Sequence, residues 1–475
     1  MVMGELTQEV ELVVIGAGPG GYAAAFRAAD LGLDVMMIDT EDRPGGVCLF
    51  RGCIPSKTLL HVTELIHDAR HSGEVMGVSF GDPRIDLPSL RAWKTRVTDK
   101  LADGLMTLCK KRGVQLVRAR ASFESPDHLR LVGSDLSHVK FKNAILAVGS
   151  QPVPVPGLDF VEGGRIMDST GALELTDIPE SLLIVGGGYV GLELGSVYAH
   201  LGSRVTLVEA SDRLLPGADR DLVEPLARRV KSAFESIHLD SGVLSLEERA
   251  DVVDAIIKIG PEQEKKTFDR VLVAIGRRPA SKDMGLENTA VKLDERGYVI
   301  VDEQRRTSDP RIFAIGDVVG GAMLAHKAMR EGKVAAEVIA GRASAFDVRA
   351  IPAVVYTDPQ IAWCGLTEER ARKNNIPVKV VRFPWSASGR AATLDAPEGA
   401  TKMLIDPATG RVLGVGIVGR GAGEMIAEGV LAIEMGALAE DLALTMHPHP
   451  TLSETEGEAA EVFMGSATHI LSQRK

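Results

Sequence analysis

Residues 11–39 read ELVVIGAGPGGYAAAFRAADLGLDVMMID, and residues 181–209 read SLLIVGGGYVGLELGSVYAHLGSRVTLVE. Each begins with an apolar strand, turns through Gly-x-Gly-x-x-Gly, and continues as a helix that a glycine stops. Each ends in a second strand closed by an acid. This is the dinucleotide-binding fingerprint. In the first copy Gly16 permits the tight turn, Gly18 lets the backbone approach a pyrophosphate, and Gly21 lets helix and strand pack closely. The helix N-terminus faces the phosphates, and Asp39 is placed to hold a ribose hydroxyl. The second copy repeats the set as Gly186, Gly188, Gly191 and Glu209, with Gly202 matching Gly32, all at a constant offset of 170. One offset for the glycines and the acid makes this a repeat of a whole domain. The segments AVGSQP (147–152) and AIGRRP (274–279) echo each other in the same way.

Between the first fingerprint and its next helix lies GGVCLFRGCIPSK (45–57). Cys48 and Cys53 are close enough in sequence to close a small disulfide ring, so the pair is redox-active, zinc-binding or coincidental. Zinc normally takes about four ligands in two short pairs, and Cys109 and Cys364 stand alone in apolar surroundings. Two dinucleotide sites with a dithiol on the first define an electron path. One nucleotide can be a diffusible nicotinamide. The other should be a resident flavin, since a hydride needs a mediator to reach a disulfide. Glu209 favours a free 2′-hydroxyl and repels a 2′-phosphate, so the second site should take NAD rather than NADP; Arg213 weakens this a little.

The chain has 475 residues, which suggests several domains. Its 45% apolar and 25% charged content is that of a globular protein. A net charge of −11 argues against a general nucleic-acid binder. No apolar run reaches the roughly 18 residues of a membrane span. The opening MVMGELTQEVE, with three glutamates and no basic residue, is neither a signal nor a transit peptide, so a cytoplasmic protein is expected. Four cysteines are no disulfide scaffold.

Other elements are expected from periodicity: a helix after the dithiol with Leu59, Val62, Ile66 and Ala69 on one face, a helix over about Ser89–Lys111, and a strand at Asn143–Val148. The proline-rich QPVPVPG (151–157) reads as a linker. A strand, IFAIG, ends at Asp317. Beyond about Arg349, alternating segments with Asp, Pro and Gly turns read as a separate α+β association domain. Near the end, HPHPTLSE places His447 and His449 in a turn, with Glu454 opening a helix. A histidine on a turn is ordinarily a surface residue, but a histidine oriented by a carboxylate is also what thiol proton transfer needs.

Together, GAGPGGY, GGVCLFRGCIPSK, DSTGALEL, GGGYVGLE, AIGRRP, AIGD, LAHKA, FPWSASGRA and HPHPTLSE resemble the pyridine nucleotide–disulfide oxidoreductases, in particular the dihydrolipoamide dehydrogenases, over nearly the whole chain. The resemblance implies an α/β chain of two Rossmann-like domains and an α+β C-terminal dimerisation domain. Its divisions would be an FAD domain with the dithiol (1–152), an NAD domain (153–278), a central domain completing the FAD site (279–348) and an interface domain (349–475). One FAD would be held tightly without a covalent bond, and NAD⁺/NADH would be the diffusible co-substrate. FAD contacts are implied for Gly46, Val47, Lys57, Ala121, Gly149, Asp317 and Ala325, and NAD contacts for Val243 and Gly276, while Tyr189 would cover the flavin until NAD arrives. Lys57 would sit near the flavin, paired with Glu193. Phe50 and Arg51 depart from the usual Asn-Val, and Asp39 from the usual glutamate; Arg51 would either lower a thiol pKa or point to solvent.

The resemblance also implies a mechanism. A dihydrolipoyl thiol gives its proton to His449, oriented by Glu454, and attacks Cys48; Cys53 leaves as the thiolate beside the flavin, and electrons pass through FAD to NAD⁺. It implies a homodimer whose active sites are shared between chains, since His449 reaches the partner's dithiol, with His447 at a non-catalytic position. The expected partners are lipoyl-bearing E2 or H-protein domains of 2-oxoacid dehydrogenase and glycine cleavage complexes, with no nucleic acid and no membrane.

Overall fold

The computed structural model describes residues 6–471. Residues 1–5 and 472–475 lie outside the described residues, and with them part of the targeting reading and the very end of the chain.

The strand Thr7–Ile15 sits at the centre of a seven-stranded sheet. It pairs in parallel with Val35–Asp39 on one side and His138–Leu146 on the other; Gln115–Arg118 and Ile312–Ala314 extend the parallel layer. Alternation along this strand feeds two cores. Leu12 and Val14 pack with Ala24, Ala25 and Ala28 of the Pro19–Asp30 helix. Val13 and Ile15 pack with Val139 and Leu146 on the opposite face. Burial on both faces is why the segment is a continuous apolar run. The alanines of that helix let a second helix, Ala325–Ile339, approach closely; a Cβ at Gly332 would stand 2.5 Å from the Gly20 carbonyl oxygen.

The repeat read from sequence is a repeat of structure. Ser181–Val185 is the centre strand of an all-parallel sheet ordered 236–238, 204–208, 181–185, 270–273, 166–167. The helix Tyr189–Leu201 follows its glycine turn as Pro19–Asp30 follows the first. The second acid, Glu209, lies one residue past the end of its strand, Arg204–Val208.

The echoed segments touch. Ser150–Pro152 and Arg277–Pro279 form a two-stranded antiparallel ribbon between the halves. The start of the proline-rich stretch is therefore paired strand rather than free linker. The predicted 89–111 helix runs Leu87–Arg112: Asp86 caps it by accepting the Ser89 N–H at 3.1 Å, and Gly113 ends it at φ +69°.

The C-terminal part is a five-stranded antiparallel sheet ordered 353–355, 360–365, 412–419, 400–405, 379–384, packed by helices Ala422–Met435 and Glu454–Met464. Lys402, on the face opposite those helices and 1% exposed, reaches Asp219 at 2.7 Å, Asp221 at 2.7 Å and Glu368 at 3.0 Å. Those three carboxylates are the single set among the described residues spaced to hold a metal ion, and the lysine already fills it. The contact joins the second half to the C-terminal domain.

Candidate active site

A cavity of about 450 Å³ opens over the C-terminal ends of the first sheet's strands. Gly16, Gly18 and Asp39 of the first fingerprint line it. So do Gly46, Val47, Cys48, Cys53 and Lys57, then Ala121, Gly149, Asp317 and Ala325. Tyr189 and Glu193, from the helix after the second fingerprint, enter the same space. Gly21 stands behind the wall, where a Cβ would come within 1.8 Å of the Gly16 carbonyl oxygen.

The dithiol spans a break between two helices. Gly46–Arg51 is one short helix, Gly52 interrupts it, and Cys53 is the first residue of Cys53–Val75. A thiol at a helix N-terminus is favoured as thiolate. As free thiols the two share a hydrogen bond, which holds Cys53 down to about 7 and pushes Cys48 up. Burial opposes the first shift, and the Lys57 ammonium assists it. One sulfur is thus prepared to carry charge and the other to stay protonated. Cys53 is open to the cavity, while Cys48 is half-buried.

Lys57 Nζ is 2.8 Å from Glu193 Oε2 and lies over the Tyr356 ring at 4.7 Å. Glu193 is 3% exposed, and its other oxygen accepts the Tyr356 N–H at 2.9 Å. The pair therefore ties together the dithiol helix, the second fingerprint's helix and the C-terminal domain.

The second fingerprint's Gly186, Gly188, Gly191 and Glu209, with Gly276, lie outside this cavity around the end of the second sheet, and Val243 lies outside it in the neighbouring three-stranded sheet. Glu209 accepts the Gly187 N–H at 2.5 Å and the Ser211 N–H at 2.7 Å. Arg213 is turned away to Glu369 at 2.7 Å, which leaves the acid as the charge at that position.

His449 and Glu454 are together but not at the cavity of their own chain. Nδ1 of His449 is 2.9 Å from Glu454 Oε1, and the histidine side chain is 75% exposed. Burial opposes ionisation of Glu454, yet the Thr451 N–H at 2.7 Å and His449 hold it below the usual carboxylate range. His447 is covered instead and pairs with Glu428 at 2.8 Å, which raises its pKa.

The family described as pyridine nucleotide-disulphide oxidoreductase matches residues 10–332, and its dimerisation domain matches residues 351–460. The chain belongs to this family. Among its relatives, dihydrolipoyl dehydrogenase of Vibrio parahaemolyticus is 46% identical over 98% of each chain. The dihydrolipoyl dehydrogenase of Geobacillus stearothermophilus is 44% identical over 100% of both. Among solved structures, LpdA of Mycobacterium tuberculosis has a TM-score of 0.88 at 26% identity, covering 96% of this chain and 100% of that one. The HOCl-induced flavoprotein disulfide reductase RclA of Escherichia coli has a TM-score of 0.84 at 27% identity, covering 95% and 99%.

This pyridine nucleotide-disulphide oxidoreductase works with FAD and NAD(H). The residues present fit both groups. A side chain at Gly16 would meet the Ala147 carbonyl oxygen at 2.4 Å, so the turn exists only as bare backbone, which is what close approach to a pyrophosphate requires. Asp39 stands beside it, accepting the Ala17 N–H at 2.5 Å.

Three further residues shape the cavity; Ser150 and Arg277 fall within the echoed segments AVGSQP and AIGRRP, whose echo does not mark their role, and Glu331 falls within no motif. Ser150 donates to Asp317 at 2.5 Å, and Arg277 grips Ser150 at both its hydroxyl (2.7 Å) and carbonyl (2.8 Å). Glu331, fully buried, accepts the Gly316 N–H at 2.7 Å and pairs with Lys327 at 2.9 Å and Arg305 at 3.0 Å, pinning the turn that presents Asp317. The Lys327–Glu331 spacing of four on an otherwise apolar helix face was the one local sign of it. Arg51 lines the cavity, its side chain 37% exposed, and pairs with Glu41 at 2.6 Å. No helix among the described residues is long and apolar enough to cross a membrane.

Proposed function

We propose that this oxidoreductase oxidises protein-bound dihydrolipoamide to lipoamide and delivers the electrons to NAD⁺, as the E3 component of 2-oxoacid dehydrogenase and glycine cleavage complexes. The observation that carries the reading is the dithiol with Lys57 in the first fingerprint's cavity, in a chain 43–47% identical to dihydrolipoyl dehydrogenases over nearly their whole length.

In this reading the Cys48–Cys53 disulfide is the oxidant. The substrate's first thiol gives its proton to His449 of the partner subunit, and its sulfur bonds to Cys48 as the Cys48–Cys53 bond breaks. Cys53 departs as thiolate, the form its surroundings favour. The second substrate sulfur then attacks the first, closing lipoamide and leaving Cys48 as a thiol. Bound FAD supplies the two-electron carrier between Cys53 and NAD⁺. Gly16, Gly18, Gly46, Val47, Asp39, Ala121, Gly149, Asp317 and Ala325 would hold it, Lys57 with Glu193 would set the charge beside it, and Tyr189, which lines the same cavity, would cover it until NAD⁺ arrives. Gly186, Gly188, Gly191, Glu209, Val243 and Gly276 receive NAD⁺. Exposure of His449, already oriented by Glu454, supports a role across a homodimer interface. The cytoplasm is the compartment that suits the reaction.

Steady-state turnover of dihydrolipoamide with NAD⁺ should far exceed that with NADP⁺ or of glutathione disulfide with either reduced nucleotide. Cys48→Ser and Cys53→Ser should each abolish lipoamide turnover with FAD still bound. Lipoamide activity retained in both would sink the reading. His449→Gln should slow the thiol half-reaction far more than dye reduction by NADH; equal slowing would remove the proton-transfer role.

A further inference from the structure

Phe50 and Arg51 stand between the two cysteines, and both make contacts away from them. Arg51 Nη1 is 2.6 Å from Glu41 Oε1. Phe50 lies under the Arg43 guanidinium, 5.5 Å from ring centroid to charge centre, and Arg43 is anchored in turn to Asp99 at 2.8 Å. Both contacts grip the same short loop, Thr40 to Arg43, which continues directly from Asp39.

Glu41 is held from both ends. Its backbone N–H donates to Asp39 Oδ1 at 2.9 Å, while its side chain is held by Arg51. The other oxygen of Asp39 accepts from the glycine turn at Ala17. Asp39, Thr40 and Arg51 all line the cavity wall. The chain thus closes a ring at the cavity rim: glycine turn, acid, loop, then back to the dithiol helix through Arg51. Prominent among the groups that act on the two thiols are each other, Lys57 and, for Cys53, Glu193, while Arg51 is paired with Glu41.

We propose that Arg51–Glu41, backed by Phe50–Arg43, is a strap that keeps the Asp39 loop closed over the nucleotide end of bound FAD and sets how fast FAD escapes. Arg51 is a positioning residue in this scheme, acting through Glu41 and the loop. The inference rests on the reading that FAD fills this cavity.

The test uses the holoenzyme. Release of FAD is followed by the recovery of flavin fluorescence on dilution, and the titration of the thiolate in the reduced protein is followed in parallel. Arg51→Ala should speed release about fivefold, the scale of a half-exposed ion pair. Glu41→Ala should do the same, the double variant should add nothing, and the exchanged pair Arg51→Glu with Glu41→Arg should restore slow release. Added salt should speed release from the wild type more than from Arg51→Ala. Unchanged release in Arg51→Ala, or single effects that multiply in the double variant, would overturn the strap. A shift in the thiolate titration of Arg51→Ala would assign the arginine to the dithiol and overturn it too. A purified wild type without flavin would instead defeat the cavity reading beneath it.

Discussion

The two fingerprint turns are nearly superimposable in their local chemistry. Gly16 donates to the Ile38 carbonyl at 2.7 Å and Gly186 to that of Val208 at 2.8 Å; each following N–H reaches its acid at 2.5 Å. A side chain at Gly16 or Gly186 would meet a carbonyl oxygen at 2.4 Å in both cases. What differs is what stands around them. The first turn is enclosed by the dithiol, the Asp317 turn and the Ala325–Ile339 helix, and it opens into the 450 Å³ cavity. The second lies outside that cavity, with the three-stranded 241–268 meander beside it. Equal turns with unequal surroundings suit one resident and one visiting nucleotide. The fingerprint specifies that a dinucleotide binds; enclosure decides how long it stays.

The sharpest way to break this contrast is to damage both turns equally. Gly16→Ala and Gly186→Ala impose the same clash, worth roughly 2–3 kcal/mol, or about a hundredfold. The first should yield protein that purifies without visible flavin absorbance. The second should keep its flavin and raise the KM for NAD⁺ by about that factor. If both lose flavin, the division of labour is wrong.

The next largest effect lies where the halves meet. Lys57→Met leaves Glu193 buried without its cation, at a cost of roughly 2–3 kcal/mol in denaturant unfolding. It should also raise the pKa of Cys53, because the ammonium favours the thiolate. Glu193→Gln should move the same titration downward, because that carboxylate disfavours the thiolate. In the reduced wild type, thiolate absorbance should therefore grow as pH rises through about 7 and vanish in Cys53→Ser.

A smaller effect compares the acids. Asp39→Asn and Glu209→Gln each remove one charge-assisted hydrogen bond, about tenfold. The first should appear in FAD release and the second in the KM for NAD⁺, with no crossover. Smallest of all is Arg213→Ala. Because this arginine is committed to Glu369, the preference for NAD⁺ over NADP⁺ should shift by less than about threefold.

Much of this architecture was legible in the glycines. Each of Gly16, Gly21, Gly186 and Gly191 is required by a close approach that no other residue permits, so its spacing is a direct record of a turn. The constant offset recorded a second copy, and the echo of AVGSQP in AIGRRP recorded a physical pairing, the ribbon between the halves. The side-chain contacts of Ser150, Arg277 and Glu331 were not legible, although the first two residues sit inside the echoed segments. Their partners lie in other elements: Arg277 meets Ser150 across 127 residues, and Ser150 meets Asp317 across 167. No local period encodes such a contact. Arg51 was read only in relation to the cysteines beside it, because sequence proximity suggested them; its partner Glu41 was ten residues back, across the loop.

Lys402 has a wider consequence. Where three carboxylates converge between domains, many proteins would recruit a calcium or magnesium ion. Here the counter-charge is covalently part of the chain, so it is delivered with the polypeptide and cannot be washed out. The joint that fixes the second nucleotide-binding half against its neighbour should therefore assemble at any metal concentration and stand indifferent to chelators.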